Sequence, residues 1–400
     1  MPCNKLLRYS KIILSRNNTL KILTLCSWYP NETNPTLGNF VQKHADTIAL
    51  NNETVALSIF PSEKEKTVRL VETKRDALHE VVVYYPKQVS GFSFLRRVKN
   101  FLAHRSAFRQ GYRRVQEILG KPDIVHLNIV YPLGIWAFWL KVRHAIPYVV
   151  TENSSGFHVD SAHAYPKPIM KLCALILKNA SVLMPVSENL KGSLEKISGG
   201  KRYEIICNVV DEKLFKTALP RSANPSRLIH ISTGVDSIKN LSGMIRVANR
   251  LSEKGFAIHL DIVSDGDIEY AKKLNKALGG SEVVAFHATK TTAEIAAMLA
   301  KSDALLMFSN YENFPCVIAE SMMSGKPVIS SNVNGIPEHV LPNFGLLVNP
   351  GDEEALFEKT ASFINGDIKF DAEHIRAYAL ENFGYESVGR KFNEVYRSIL

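Results

Sequence analysis

Short apolar runs alternate with amphipathic helical patterns along almost the whole chain, and this rhythm constrains the fold more tightly than any bulk property. KILTLCSWY, ETVALSIF, VVVYY, DIVHLNIV and PYVVTE each lead into a polar loop and often a helical stretch. Uninterrupted apolar runs of this length mark strands buried on both faces, as in parallel sheets covered by helices. The rhythm pauses in the polar stretch EKLFKTALPRSANP and restarts with RLIHIST, AIHLDIV, EVVAFH, DALLMFS and KPVISS. Two α/β domains are therefore expected, each a Rossmann-like parallel sheet, one over residues 1–212 and one over 213–385. In the last segment, ESVGRKFNEVYRSIL, Val388, Phe392, Val395, Tyr396 and Leu400 fall at helical spacing, which reads as a closing helix over about 386–400 packing back on the first domain. A length of 400 residues, 46% of them hydrophobic, agrees with two cores.

In open parallel sheets ligands gather at the carboxyl ends of the strands, so two facing sheets make one central cleft. The densest candidate site is DALLMFSNYENFPCVIAESMMSGKPVISSNVNGIPEH, which reads as strand, loop, helix, turn, strand and loop, with Pro315 suited to the helix start and Gly325 to its end. Free backbone N–H groups and the positive end of the helix dipole make that start a seat for a diphosphate. Glu312 precedes the helix and Glu320 lies inside it, leaning back toward the N-terminus. Two carboxylates beside an anion site make sense where each accepts hydrogen bonds from hydroxyls, one set from a ribose and one from a sugar. The alternative is that Glu312 is solvated and Glu320 merely suits a helix.

These residues resemble the retaining glycosyltransferases of family 4, whose hallmark is two glutamates separated by seven residues, then a small-residue turn, Pro-Val and a Gly-containing loop. Glu312, Glu320, Gly325, Pro327, Val328 and Gly335 match it. WYPNETNPTLGNFVQKHA, PDIVHLN, VSENL and ICNVVDEKLF extend the match along the chain. The resemblance implies the two-domain GT-B fold and a nucleotide-sugar donor held mainly by the second domain, with no cofactor. Glu312 then contacts the transferred sugar and Glu320 the ribose, while amides around Asn313, Phe314 and Val317 reach sugar and phosphates. Lys239 matches the lysine that neutralises the donor diphosphate, Gly38 lets the loop after the first strand approach the phosphates, and His287 offers a partner for the base.

Two positions depart from the family pattern. Gly234 stands where an arginine is usual, and Asn153 stands where a histidine often follows the Thr-Glu pair. Asparagine hydrogen-bonds but relays no proton. Retaining chemistry on one face of the donor, with the leaving phosphate taking the acceptor's proton, does not require that histidine, and His158 is a nearby alternative. These departures also motivate a second reading, a protein that binds nucleotide-sugars with little turnover. Asp265-Gly266-Asp267 spells the Asp-x-Asp triplet by which other glycosyltransferases hold a metal, but two aspartates around a glycine are ordinary turn chemistry, and no metal is expected.

The formal charge of +10 favours anionic partners, and part of it is concentrated in FLRRVKNFLAHRSAFRQGYRRV, residues 94–115, with seven Lys or Arg and no acid. Leu95, Val98, Phe101, Leu102, Phe108, Tyr112 and Val115 are spaced as one helical face there. Arg96, Arg97, Lys99 and Arg105 thus mark a surface for an anionic membrane or a lipid-linked acceptor, unless that face simply packs on the first sheet. No zinc spacing or ribonucleoprotein motif supports nucleic acid, and no Gly-x-Gly-x-x-Gly follows the first strand. Five scattered cysteines and the absence of a continuous apolar leader or spanning run fit a protein of the reducing cytoplasm, acting on a glycan or lipid-linked acceptor at the inner face of the cell membrane.

Overall fold

A computed structural model describes residues 19–90, 92–157, 164–217, 225–280 and 282–400. The first sheet comprises β1 (Lys21–Cys26), β2 (Glu53–Ser62), β3 (Arg69–Arg75), β4 (Leu78–Pro86), β5 (Ile124–Asn128), β6 (Tyr148–Glu152) and β7 (Leu183–Pro185). Its order is β3-β4-β2-β1-β5-β6-β7, parallel except for the β3–β4 hairpin. The second comprises β8 (Ser226–Ser232), β9 (Ile258–Ser264), β10 (Val284–His287), β11 (Ala304–Leu306), β12 (Val328–Ser331) and β13 (Gly345–Val348), in the order β10-β9-β8-β11-β12-β13, all parallel. Every residue of β5, β6 and β12 is buried, which explains their continuous apolar runs.

The domains are joined by two adjacent crossings. The outgoing chain passes Val210, whose N–H donates to Phe383 O at 2.9 Å, and the returning chain passes Gly384, bridged to Val210. Helix Ala372–Phe383 buries Ile375, Ala379 and Phe383 in the second domain. Helix Tyr385–Arg397 then covers the first sheet, placing Val388, Phe392, Val395 and Tyr396 against Ile22, Ile124, Val149 and Met184.

The long helix Ser93–Leu119 departs from its sequence reading. Its apolar positions do not form one buried face: Phe108, Tyr112 and Val115 enter the first core, whereas Leu95, Val98, Phe101 and Leu102 are exposed. The helix packs on β2 and β4 from His104 onward, and its first turns project past the sheet.

Candidate functional site

Strand order reverses beside β1 in one sheet and beside β8 in the other, so the loops after β1, β8 and β11 lie at the switch points where ligands collect. The wall from the second domain is the denser one. After β11 the chain turns through Ser309 and Glu312 into helix Cys316–Met323, with extended backbone at Pro315, its N-cap. The first amides of that helix lack intrahelical acceptors. Glu312 is buried, and its Oε1 accepts from the Ser309 hydroxyl at 2.8 Å and from the Lys239 ammonium. Lys239 ends the short helix Asp236–Lys239 after β8. Asn310 ties the two loops together: its backbone N–H donates to Ile238 O at 2.8 Å and its side chain to Ser237 O at 3.1 Å.

Glu320, 7% exposed, accepts a 2.9 Å hydrogen bond from Lys43, which reaches it from helix Asn39–Ala49 of the first domain. Burial works against the Lys43 charge, but the Glu320 carboxylate, aided by Asp211, holds its pKa above the ordinary lysine value. The Cys316 thiol at the helix start is pushed up to about 12 by burial and stays uncharged. Asn313 crosses to the first domain, its side-chain amide donating to Asn153 O at 2.6 Å. The ring of Phe314 packs in the core, 4.6 Å from the His339 ring and 5.4 Å from Phe383, so its backbone alone remains for the cleft. Val317 occupies the first helical turn, where its amide is one of the free donors.

The wall from the first domain is assembled from separate loops. Gly38 caps helix Asn39–Ala49 with φ 65°, and a Cβ there would lie 2.6 Å from the Trp28 carbonyl carbon, so this turn admits only glycine. Asn153 follows β6, and its side-chain nitrogen is buried without a hydrogen-bond partner. Beneath it, Glu152 accepts backbone N–H bonds from Val130 at 2.9 Å, Asn153 at 2.9 Å and Ser154 at 2.7 Å. Burial pushes this carboxyl up to about 7 against those three donors. Glu338 joins the two walls, accepting from the N–H groups of Glu188 at 2.7 Å and Asn189 at 2.9 Å at the start of helix Glu188–Ser198.

The structure thus pairs Lys239 with Glu312 and Asn313 with Asn153, and Glu320 on the helix that follows Asn313 completes the candidate cluster. Other positions stand apart from it. His287 ends β10 with its Nε2 2.7 Å from Asp261 Oδ1, so that ring nitrogen is already engaged. Gly234 has φ 72°, and a Cβ would lie 2.5 Å from the Ser264 hydroxyl, so an arginine cannot occupy this backbone as it stands. Asp267 caps helix Ile268–Ala277, accepting from Tyr270 N at 3.0 Å, and among the described residues no group of three or more His, Cys, Asp or Glu is placed to hold a metal. Arg97, Lys99 and Arg105 are exposed on the projecting helix, and Arg96 donates to Val89 O at 3.1 Å. His158 lies outside the described residues. Sequence reasoning missed Lys43, Glu152 and Glu338. Glu152 was signalled only by being a carboxylate inside an apolar run, and Glu338 only by its place in the loop after β12.

Two parallel-sheet domains facing a cleft with this cluster define a glycosyltransferase of the GT-B fold. Residues 67–214 match the family model Glycosyltransferase Family 4, and residues 216–381 match Glycosyl transferases group 1. The chain belongs to the group 1 glycosyltransferases of family 4. It is 24% identical over 292 residues to the N-acetyl-alpha-D-glucosaminyl L-malate synthase of Bacillus anthracis, spanning 70% of this chain and 75% of that one. It is 23% identical over 403 residues to the putative teichuronic acid biosynthesis glycosyltransferase TuaC of Bacillus subtilis (strain 168), spanning 94% of this chain and 95% of that one. Its fold is similar to that of Anabaena Alr3699/HepE in complex with UDP, with a TM-score of 0.69 at 18% identity over 95% of this chain and 100% of the other.

Proposed function

We propose that the chain transfers a hexose or related sugar from a nucleotide-sugar to a glycan or lipid-linked acceptor in surface polysaccharide assembly, with retention at the anomeric carbon and without a metal. The observation that carries this reading is the Lys239–Glu312 pair set beside the free N-terminal amides of helix Cys316–Met323. The amides and Lys239 take the charge that develops on the departing diphosphate. Glu312 and Asn313 orient the transferred sugar, Glu320 holds the ribose, and the amides of Phe314 and Val317 with the Gly38 loop line the phosphates. The bond from the anomeric carbon to the phosphate oxygen breaks as the acceptor oxygen bonds to the same face, and the acceptor's proton passes to the departing phosphate oxygen. The unpartnered Asn153 amide is a donor free to hold the sugar or acceptor during that step. His287, bonded to Asp261, retains its other ring nitrogen and its ring face for the base.

The same reading sets the enzyme at the inner face of the cell membrane. No helix among the described residues is long and apolar enough to cross a membrane. The projecting turns of helix Ser93–Leu119, with Phe94 73% exposed and Arg97, Lys99 and Arg105 beside it, instead suit an anionic lipid surface. Each cation near such a surface adds about 1 kcal/mol. TuaC by its name belongs to teichuronic acid biosynthesis, which supports a surface polysaccharide as the destination.

The test is hydrolysis and transfer from UDP-, GDP- and ADP-sugars in EDTA, comparing the wild type with Glu312→Ala. Release by the wild type that the variant loses is the expected result, and the product's anomeric configuration reports retention. The Gly234 backbone, which leaves no room for a second cation there, favours the rival reading of binding without turnover. Tight nucleotide binding with no transfer from any of these donors establishes that rival.

A further inference from the structure

The Lys43–Glu320 ion pair joins the two domains, and the roles of Glu312 and Glu320 in holding sugar and ribose leave it unexplained. A diphosphate seated at the start of helix Cys316–Met323 would meet Glu312 and Glu320 on either side, and both carboxylates are buried. Two unneutralised carboxylates there would repel it, because like charges a few ångströms apart in a water-poor cleft are only weakly screened. Lys239, from the same domain, answers Glu312. Gly234 contributes nothing to this balance. The one counter-ion on Glu320 among the described residues is Lys43, held 2.9 Å away, with its ammonium 5.9 Å from the centre of the Phe215 ring. Lys43 comes from the first domain, on the helix that Gly38 starts, so the site's charge is balanced only where the two domains meet.

We propose that Lys43 is a donor-positioning residue: its ammonium neutralises Glu320 beside the first turn of helix Cys316–Met323, so that a nucleoside diphosphate is admitted only when helix Asn39–Ala49 lies against the second domain. The inference rests on the reading of that turn as the diphosphate seat. It makes donor binding and domain closure one event, because the first domain supplies a charge that the second lacks.

The experiment is titration calorimetry of UDP, GDP and ADP, and of uridine, guanosine and adenosine, on the full chain. Wild type is compared with Lys43→Met, Lys43→Arg and the double variant Lys43→Met/Glu320→Gln, alongside donor kinetics. Lys43→Met is expected to weaken the preferred nucleoside diphosphate about tenfold or more, the scale of one ionic contact, while the matching nucleoside binds within about twofold of wild type. Donor KM rises more than kcat falls, and Lys43→Arg restores most of the loss. The double variant covers the case in which an unpaired buried Glu320 unfolds the single one: it removes both charges, regains diphosphate affinity over Lys43→Met, and sheds the ribose contact instead. Equal losses for nucleoside and diphosphate, or no loss for either, overturn the role of Lys43. If Lys43→Met behaves as wild type while Glu312→Ala abolishes transfer, this inference fails and the donor site stands. If wild type binds none of the nucleoside diphosphates, both fall.

Discussion

The two walls of the cleft are built by opposite means. The second domain gathers Glu312, Asn313, Phe314, Val317 and Glu320 within one loop and one helix, and adds Lys239 from a neighbouring loop tied to them by Asn310. The first domain contributes single residues from distant elements: Gly38 after β1, Lys43 on the next helix, Asn153 after β6, and the amides of Glu188 and Asn189 beyond β7. A wall made of one continuous segment is set by local geometry. A wall made of scattered residues is set by the packing of a whole domain, and it moves as that domain moves.

Substitutions break this comparison in a definite order. Glu312→Ala, in the continuous wall, should lower kcat/KM by about a thousandfold, equivalent to about 4 kcal/mol of transition-state stabilisation, with little change in thermal stability. A loss below tenfold would place the reacting centre elsewhere. In the scattered wall the larger effects are on folding. Glu152 keeps its proton up to about pH 7 when folded and releases it near its ordinary value of 4.5 when unfolded. Stability from this group is therefore fully present below pH 4.5 and is lost as pH rises through 7. The total is about 3 kcal/mol for a shift of this size. Denaturant titrations from pH 4.5 to 7.5 should show the decline, and Glu152→Gln should flatten it; an unchanged slope removes Glu152 as its source.

Gly38→Ala comes next, at about 2 kcal/mol of stability, because its positive φ and the contact with Trp28 both disfavour a side chain. Donor KM should rise with it. Unaltered donor binding would show that the Gly38 loop does not meet the phosphates. The smallest effect sharpens the comparison instead of breaking it. Glu338→Gln retains shape but removes the charge facing the start of helix Glu188–Ser198, weakening a contact worth about 1 kcal/mol. A donor KM raised about fivefold with kcat intact is the expected outcome, and a fall in kcat alone would assign Glu338 a different role.

The same contrast decided what could be read from sequence. The buried runs of β5, β6 and β12 and the seven-residue separation of Glu312 and Glu320 are local patterns, and they were legible. β7 is only three residues long and ends in Pro185, β13 is a brief run after a turn, and β3 is a half-exposed charged edge, so periodicity had little to act on. The Lys43–Glu320 contact joins positions 277 apart and the Glu338–Glu188 contact positions 150 apart. No window along the chain contains either pair. Helix Ser93–Leu119 shows the complementary limit: periodicity identified its apolar stripe, but only the length of the sheet beneath it determines where the stripe stops being covered.

The adjacent crossings at Val210 and Gly384 have a consequence for synthesis. Helix Tyr385–Arg397 is translated after the entire second domain, yet its Phe392 and Tyr396 complete the core over Ile22, Ile124 and Val149. The first domain therefore leaves the ribosome with helix Asn39–Ala49 covering one side of its sheet only in part, and waits for a distant part of its own chain to cover the rest. Domains ordinarily fold in order of emergence; here the earliest is finished last, and a nascent chain arrested at Phe383 should expose that apolar surface to chaperones until elongation resumes.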